Sequence, residues 1–237
     1  MRYMLVWLVV AITTGAARRP LPQEASRRAE MLRPLLISYL PRGGDSPTHE
    51  IIHEEVLHDS WRKLILRRVK IHDVTVEYEI VGQKGTDEAV LIFVWNTTDS
   101  TATIIREYMP SLHRRQFGLA AGMVEHESTE AAARAELAEE AGLEGGSWTL
   151  LTPVPVVMDK YATTRLSVFL CLNPVTIPLA RRPPRDAEEA DLEVICGVSR
   201  LRLEELILDG RFTVVGAWAT HLALSKLDDI LFTNGDR

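Results

Sequence analysis

The run AVLIFVWN at 89–96 carries no polar side chain before its last residue. A strand with one wet face alternates apolar and polar residues. A run apolar at every position must be covered on both faces. Whatever this chain folds into therefore has at least three layers here, with this strand in the middle one.

The neighbouring patterns say what the layers are. VTVEYEIVG at 74–82 alternates Val and Tyr with polar residues, the mark of a half-exposed strand. IIHEEVLHD and WRKLILRRV before it read as two further strands, and ATIIREY at 102–108 as the return arm of a hairpin through the NTTDST turn. After RRQFGLAAG the period changes from strand-like to helical. Ser128 or Thr129 can cap a helix that runs to about Ala141, and Gly142 is a natural stop. WTLLTPVPVVMD, RLSVFLCLN and DLEVICGVS predict three more strands, and LRLEELILDG and TVVGAWATHLALSKL two closing helices. The order of strands, helix, strands, helices predicts an α/β (α+β) fold. A mixed sheet is sandwiched between helices and antiparallel strands lead it, unlike the alternating parallel βαβ pattern.

The 237 residues carry a net charge of −6, so no basic field invites nucleic acid. Cys171 and Cys196 form no CxxC pair and read as small buried residues; the seven histidines show no zinc-ligand spacing. Trp61, Trp95, Trp148 and Trp218 fall in strand or helix patterns and are expected in the core. Residues 1–16 have the layout of a signal-peptide-like leader: one early Arg, a short apolar run, then Gly15 and Ala16. That run is too short to span a membrane comfortably, so no membrane is expected for the mature form. Residues 17–47 are Arg-rich and acid-poor at first and end in PRGGDSP, a transit-like or linker segment, leaving 48–237 as the domain. Together they predict a plastid reached through the secretory route. Secretion or the endomembrane system, a mitochondrial address and an N-terminal helix of the mature chain stay open. Asn96-Thr97-Thr98 is a glycosylation sequon.

The stretch AAARAELAEEAGL at 131–143 poses the chemical question. On a helix, Glu136, Glu139 and Glu140 fall within an arc of roughly 100°. Like charges at these spacings repel. A helix tolerates them in water, as a plain solvated face with Glu130 and Arg134 paired beside it, or around cations. Mg²⁺ takes carboxylate oxygens and keeps waters and substrate phosphates as its other ligands. Spacing alone leaves both readings open.

The segment resembles the Nudix box: Gly, five residues, Glu, seven residues, Arg-Glu, apolar, any, Glu-Glu, any, Gly, apolar. Glu127, Glu136, Leu137, Glu139, Glu140, Gly142 and Leu143 hold the matching positions. REYMP at 106–110 is similar to the Gln-Tyr-Arg-Pro segment of the ADP-ribose and nucleotide-sugar pyrophosphatase branch, and GLAAG at 118–122 to its Glu-Leu-Pro-Ala-Gly. The chain departs from the pattern at named places. Ala135 stands where the box has Arg, and Arg134 beside it points about 160° away from Glu136 on a helix. Gly122 opens the box only with a one-residue deletion; with the spacing kept, Ala121 takes that place. Glu107 stands for Gln, Met109 for Arg, Gly118 for Glu, and Thr164 at about the place of an acid.

The resemblance implies hydrolysis of a nucleoside diphosphate linked to a further group, with Mg²⁺ (or Mn²⁺) as cofactor and a nucleotide-sugar as substrate. It implies Glu127, Glu136, Glu139, Glu140 and the backbone at Gly122 as metal site. Glu139 and Glu140 then also count as catalytic, and a later loop supplies a base, for which Glu188 and Glu189 in RDAEEADLEV are the candidates. Arg106, Tyr108, Gly118 and Ala121 are the implied substrate contacts. It also allows a homodimer paired through strands 50–82. The lost box arginine keeps a second reading open, a Nudix-fold nucleotide-binding or regulatory module with little catalysis.

Overall fold

The computed structural model describes residues 49–125 and 128–235. The leader, the 17–47 segment and Glu127 lie outside the described residues. The chain divides into two compact units, whose described residues are 49–54 with 67–77, and 55–66 with 78–125 and 128–235.

Strands β1 (Glu50–Asp59), β2 (Arg62–Ile71) and β3 (Val74–Gln83) form a three-stranded sheet in that order. Two-residue connections make neighbours antiparallel, as the sequence predicts. In the smaller unit, Arg67 meets Glu54 at 2.8 Å and Arg68 meets Glu77 at 2.6 Å. β1 is exposed at every position.

The larger unit holds the layers. β4 (Glu88–Asn96), β5 (Thr101–Met109), β6 (Arg114–Gly118) and β7 (Ala120–Met123) come first. Helix α1 (Thr129–Glu136) follows and runs on into a π-turn at Leu137–Ala141. Then come β8 (Leu143–Glu144), β9 (Ser147–Leu150), β10 (Val156–Val157), β11 (Arg165–Leu172), β12 (Val175–Thr176) and β13 (Glu193–Ser199). Helices α2 (Arg200–Leu208) and α3 (Val214–Gly235) end the chain. The main sheet runs β10-β11-β4-β5-β13, with β6 on β5, β7 on β4 and β9 on β11. β4 and β11 pair in parallel, Leu91 opposite Val168, and the other ladders are antiparallel. The sheet is therefore mixed.

β4 is covered on both faces, as its composition demands. Leu91, Phe93 and Trp95 pack with Leu203 and Leu206 of α2 and Ala219, Ala223 and Leu224 of α3. Val90, Ile92 and Val94 pack on the other side with Ala132, Ala133 and Leu137 of the α1 segment. Side chains that alternate across a strand thus feed two cores.

Three expectations need correction. WTLLTPVPVVMD is not one strand: Pro153 and Pro155 cannot donate to a ladder, and the chain breaks into β9 and β10. Trp95 is buried, but Trp61 is 67% exposed and Trp218 36%. Trp61 lies in the turn between β1 and β2 and Trp218 on the outward side of α3, neither of which composition reveals. Cys171 is buried and Cys196 exposed, both as free thiols. Cys196 sits where β13 shifts register, beside Gly197 at positive φ, so the bulge turns it outward.

Candidate active site

The site is built on the seam between β7 and the α1 segment. Ser128 caps α1: its Oγ accepts the Ala131 N–H at 3.1 Å. Glu130 pairs with Arg134 at 2.7 Å, one turn on, and the Arg134 guanidinium lies 4.7 Å above the Trp148 ring. Arg134 is thus engaged away from the glutamates. Ala132 and Ala133 are fully buried, and their small size lets the helix lie close on the sheet. At Leu137 the helix widens into the π-turn, in place of the continuous α-helix the sequence predicts; Gly142, at φ 64°, closes it. π-turns are rare and recur at functional sites.

This turn carries the carboxylates. Glu140 is 4% exposed, and its Oε2 accepts the Ala121 N–H at 2.9 Å. Glu136 is half-buried against the backbone of Gly122, so closely that a Cβ on that residue would overlap its carboxylate. Both of the residues that compete for the first box position therefore touch the cluster, Ala121 through its N–H and Gly122 through its missing side chain. Burial, then Glu139, Glu189, Glu125 and Asp186, push the Glu136 carboxyl up to about 8. Burial pushes Glu140 up to about 9 against the pull of the Ala121 N–H, with Glu189, Glu136 and Glu107 adding to the rise.

The segment before β13 reaches the same place. Residues 187–189 form a single 3₁₀ turn. Glu189 is half-buried, and its charge acts on the Glu136, Glu140 and Glu107 carboxyls. Burial, then Asp186 and Glu139, raise its pKa, while Arg185 opposes the rise. Glu188 is exposed. Of the two candidate bases in this loop, the fold brings Glu189 to the cluster.

A cavity of about 300 Å³ opens beside the carboxylates. Gly118, Ala121 and Gly122 line it. So do Glu107, Met109 and Thr164, and with Gly118 these are the positions where the flanks depart from the family residues. Met123 and Met158 add to an apolar wall. Burial, then Glu189 and Asp191, raise the pKa of Glu107. The other two implied substrate contacts lie elsewhere. Tyr108 is exposed and hydrogen-bonds His113 Nδ1 at 2.7 Å; Arg106 pairs with Glu193 at 3.3 Å and lies 5.7 Å from the Phe117 ring centre.

Glu107, Asp186 and Arg185 were not singled out by sequence as parts of the site. Glu107 looked only like a departure from Gln. Arg185 lies in RRPPRD, 45 residues or more from the carbonyls it reaches: its Nη2 donates to Glu140 O at 2.6 Å and its Nε to Glu139 O at 3.4 Å. The only local signal was a basic run set directly before an acidic loop.

The donors fit a divalent cation. They are all oxygens, and Glu136 and Glu140 are desolvated and pushed up by acidic neighbours, so a positive charge among them relieves the repulsion. Among the described residues no group of three or more His, Cys, Asp or Glu side chains is arranged to hold a metal ion. An ion that keeps waters and phosphate oxygens needs only one or two protein carboxylates.

The NUDIX domain matches residues 85–213, more than half of the chain. The chain belongs to the Nudix family. The matched span contains β4, the π-turn, the 185–192 loop and most of the cavity wall; Arg62, Gln83 and Val215 of that wall fall outside it. A solved structure titled "Crystal structure of ADP compounds hydrolase" has the same fold: TM-score 0.63 at 19% identity, covering 76% of this chain and 95% of that one. Comparison with curated proteins yields no match. The chain is a Nudix hydrolase, of a family that hydrolyses pyrophosphate bonds in small nucleotide substrates and uses divalent metals.

Proposed function

We propose that this Nudix hydrolase cleaves the pyrophosphate of a nucleoside diphosphate-sugar, ADP-ribose or an ADP- or UDP-sugar, with Mg²⁺. The products are a nucleoside monophosphate and a sugar phosphate. The observation that carries this reading is the convergence of Glu136, Glu139, Glu140 and Glu189 beside a cavity walled by Ala121 and Gly122.

Bound Mg²⁺ would supply positive charge to the pyrophosphate oxygens. Glu136 and Glu140 are the proposed principal ligands, with Glu139, and Glu127 completes the set as the family resemblance implies. Mn²⁺ has similar ligand preferences and is expected to substitute. The Ala121 N–H fixes the Glu140 carboxylate, and the bare Gly122 backbone lets Glu136 approach. Glu189 takes the proton from the attacking water at its carboxylate. Burial and its acidic neighbours raise its pKa, which makes it a stronger base than an ordinary carboxylate. The cavity holds the part of the substrate next to the pyrophosphate, and water exclusion there strengthens every charge interaction.

The test is turnover of ADP-ribose, ADP-glucose and UDP-glucose with Mg²⁺, beside calorimetric binding of each. Hydrolysis that depends on Mg²⁺ supports the reading. Tight binding of all three with no turnover would establish the nucleotide-binding module instead, the reading that Ala135 keeps open.

A further inference from the structure

Helix ends leave their last carbonyls without partners inside the helix. In the π-turn these include Glu139 O and Glu140 O, the backbone of two proposed metal ligands. Arg185 meets both, with Nε at 3.4 Å from Glu139 O and Nη2 at 2.6 Å from Glu140 O. Its Nη1 donates to Leu192 O at 2.7 Å. One half-buried guanidinium therefore does two things. It places a positive charge at the negative end of the helix, and it ties the two ends of the 185–192 loop to that same point.

The loop is stiffened from within. Glu189 N–H donates to Asp186 O at 3.0 Å and Leu192 N–H to Glu189 O at 2.9 Å. Pro183 and Pro184 restrict the approach to Arg185. The residue presented between the two anchored ends is Glu189, whose charge acts on Glu140 and Glu136. Inside the helix Ala135 offers no side chain that could brace the cluster, and Arg134 is turned to Glu130 and Trp148.

We propose that Arg185 is the positioning residue of this site: it braces the Glu139–Glu140 turn from outside the helix and holds the loop so that Glu189 faces Glu140. The inference rests on the proposed hydrolysis for its kinetic consequence, but its structural core is readable without turnover.

The experiment compares wild type, Arg185→Ala, Arg185→Gln, Glu189→Gln and Arg185→Ala/Glu189→Gln on the full chain. Amide hydrogen exchange across 186–192 and Mn²⁺ affinity by calorimetry are read first, without substrate. Removing the brace is expected to speed exchange at Glu189 and Leu192 and to weaken Mn²⁺ binding by about tenfold, the usual scale for groups that orient metal ligands. Arg185→Gln keeps part of the stem and two donors, and an intermediate effect is expected; it also decides the matter should the alanine variant fail to fold. Folded variants with wild-type exchange and Mn²⁺ affinity overturn the proposal. In kinetics, Arg185→Ala is expected to lower kcat by roughly 10–100-fold with KM little changed. At saturating metal the double variant is expected to be no slower than Glu189→Gln alone, since the loop route acts through that one group. Losses that multiply would show that Arg185 does not act through Glu189. Absence of turnover in wild type would sink the hydrolysis reading, while exchange and Mn²⁺ binding still decide the role of Arg185.

Discussion

The π-turn and the 185–192 loop meet at one cluster of carboxylates, yet they are built in opposite ways. The turn is seated in the core: Leu137 is fully buried, Glu140 nearly so, and the sheet backbone fixes both Glu136 and Glu140. The loop has no buried apolar residue before Leu192, and three bonds from one arginine anchor it. A rigid half suits groups that must hold a fixed charge geometry. A tethered half suits a base that must adapt as water and substrate enter.

Substitutions can break or sharpen this contrast. The largest effect is expected in the loop, where neighbours should differ sharply: Glu189→Gln lowers kcat by roughly 100-fold or more, the scale of general-base loss, and exposed Glu188→Gln leaves it nearly unchanged. Steady-state kinetics of the two variants check this, and equal losses would remove the special role of Glu189. On the rigid side, Gly122→Ala drives a methyl group into the Glu136 carboxylate. Mg²⁺ affinity should fall by roughly 10–100-fold, with the fold kept. Calorimetry and circular dichroism separate that from general unfolding.

A smaller effect is expected from pH. Folded Glu136 and Glu140 hold their protons up to about 8 and about 9, whereas the unfolded chain loses them at ordinary carboxylate values. The unfolded state then binds fewer protons across that window, so metal-free stability falls as pH rises through it. Divalent ions replace those protons, so stabilisation by Mg²⁺ should grow with pH. Melting curves at pH 5, 7 and 9 with and without Mg²⁺ test this, and Glu140→Gln should flatten the metal-free trend. The smallest effect is Arg134→Ala. An exposed i, i+4 pair and a ring contact are together worth about 0.5–1 kcal/mol, so only a slight drop in melting temperature is expected.

The same two regions differ in how far sequence reveals them. The turn segment was legible because its determinants are local. Helical period, the Ser128 cap, the Gly142 stop and the glutamate spacing all sit within fifteen residues. The doubly buried β4 was legible for the same reason, since one run of eight residues dictates its surroundings. The π-turn was not legible: it differs from an α-helix only in which carbonyl each N–H selects, and packing of Leu137 against the sheet decides that. Nor was the Arg185 anchor. Its partners Glu139 and Glu140 lie 46 and 45 residues away, and a backbone carbonyl carries no residue-type signature. Glu107 became part of the site only when β5 was placed beside β6 and the cavity.

The central claim is that the carboxylates of the π-turn cleave pyrophosphate by holding a divalent cation. A Mg²⁺ titration of ADP-ribose hydrolysis, run on wild type and on Glu139→Gln/Glu140→Gln, tests it most directly. The account predicts saturable Mg²⁺ activation in wild type. In the double variant it predicts a loss of roughly 1,000-fold, the several kcal/mol that a metal contributes to such a transition state. Turnover equal in the two proteins, or unaffected by removing Mg²⁺, would contradict it.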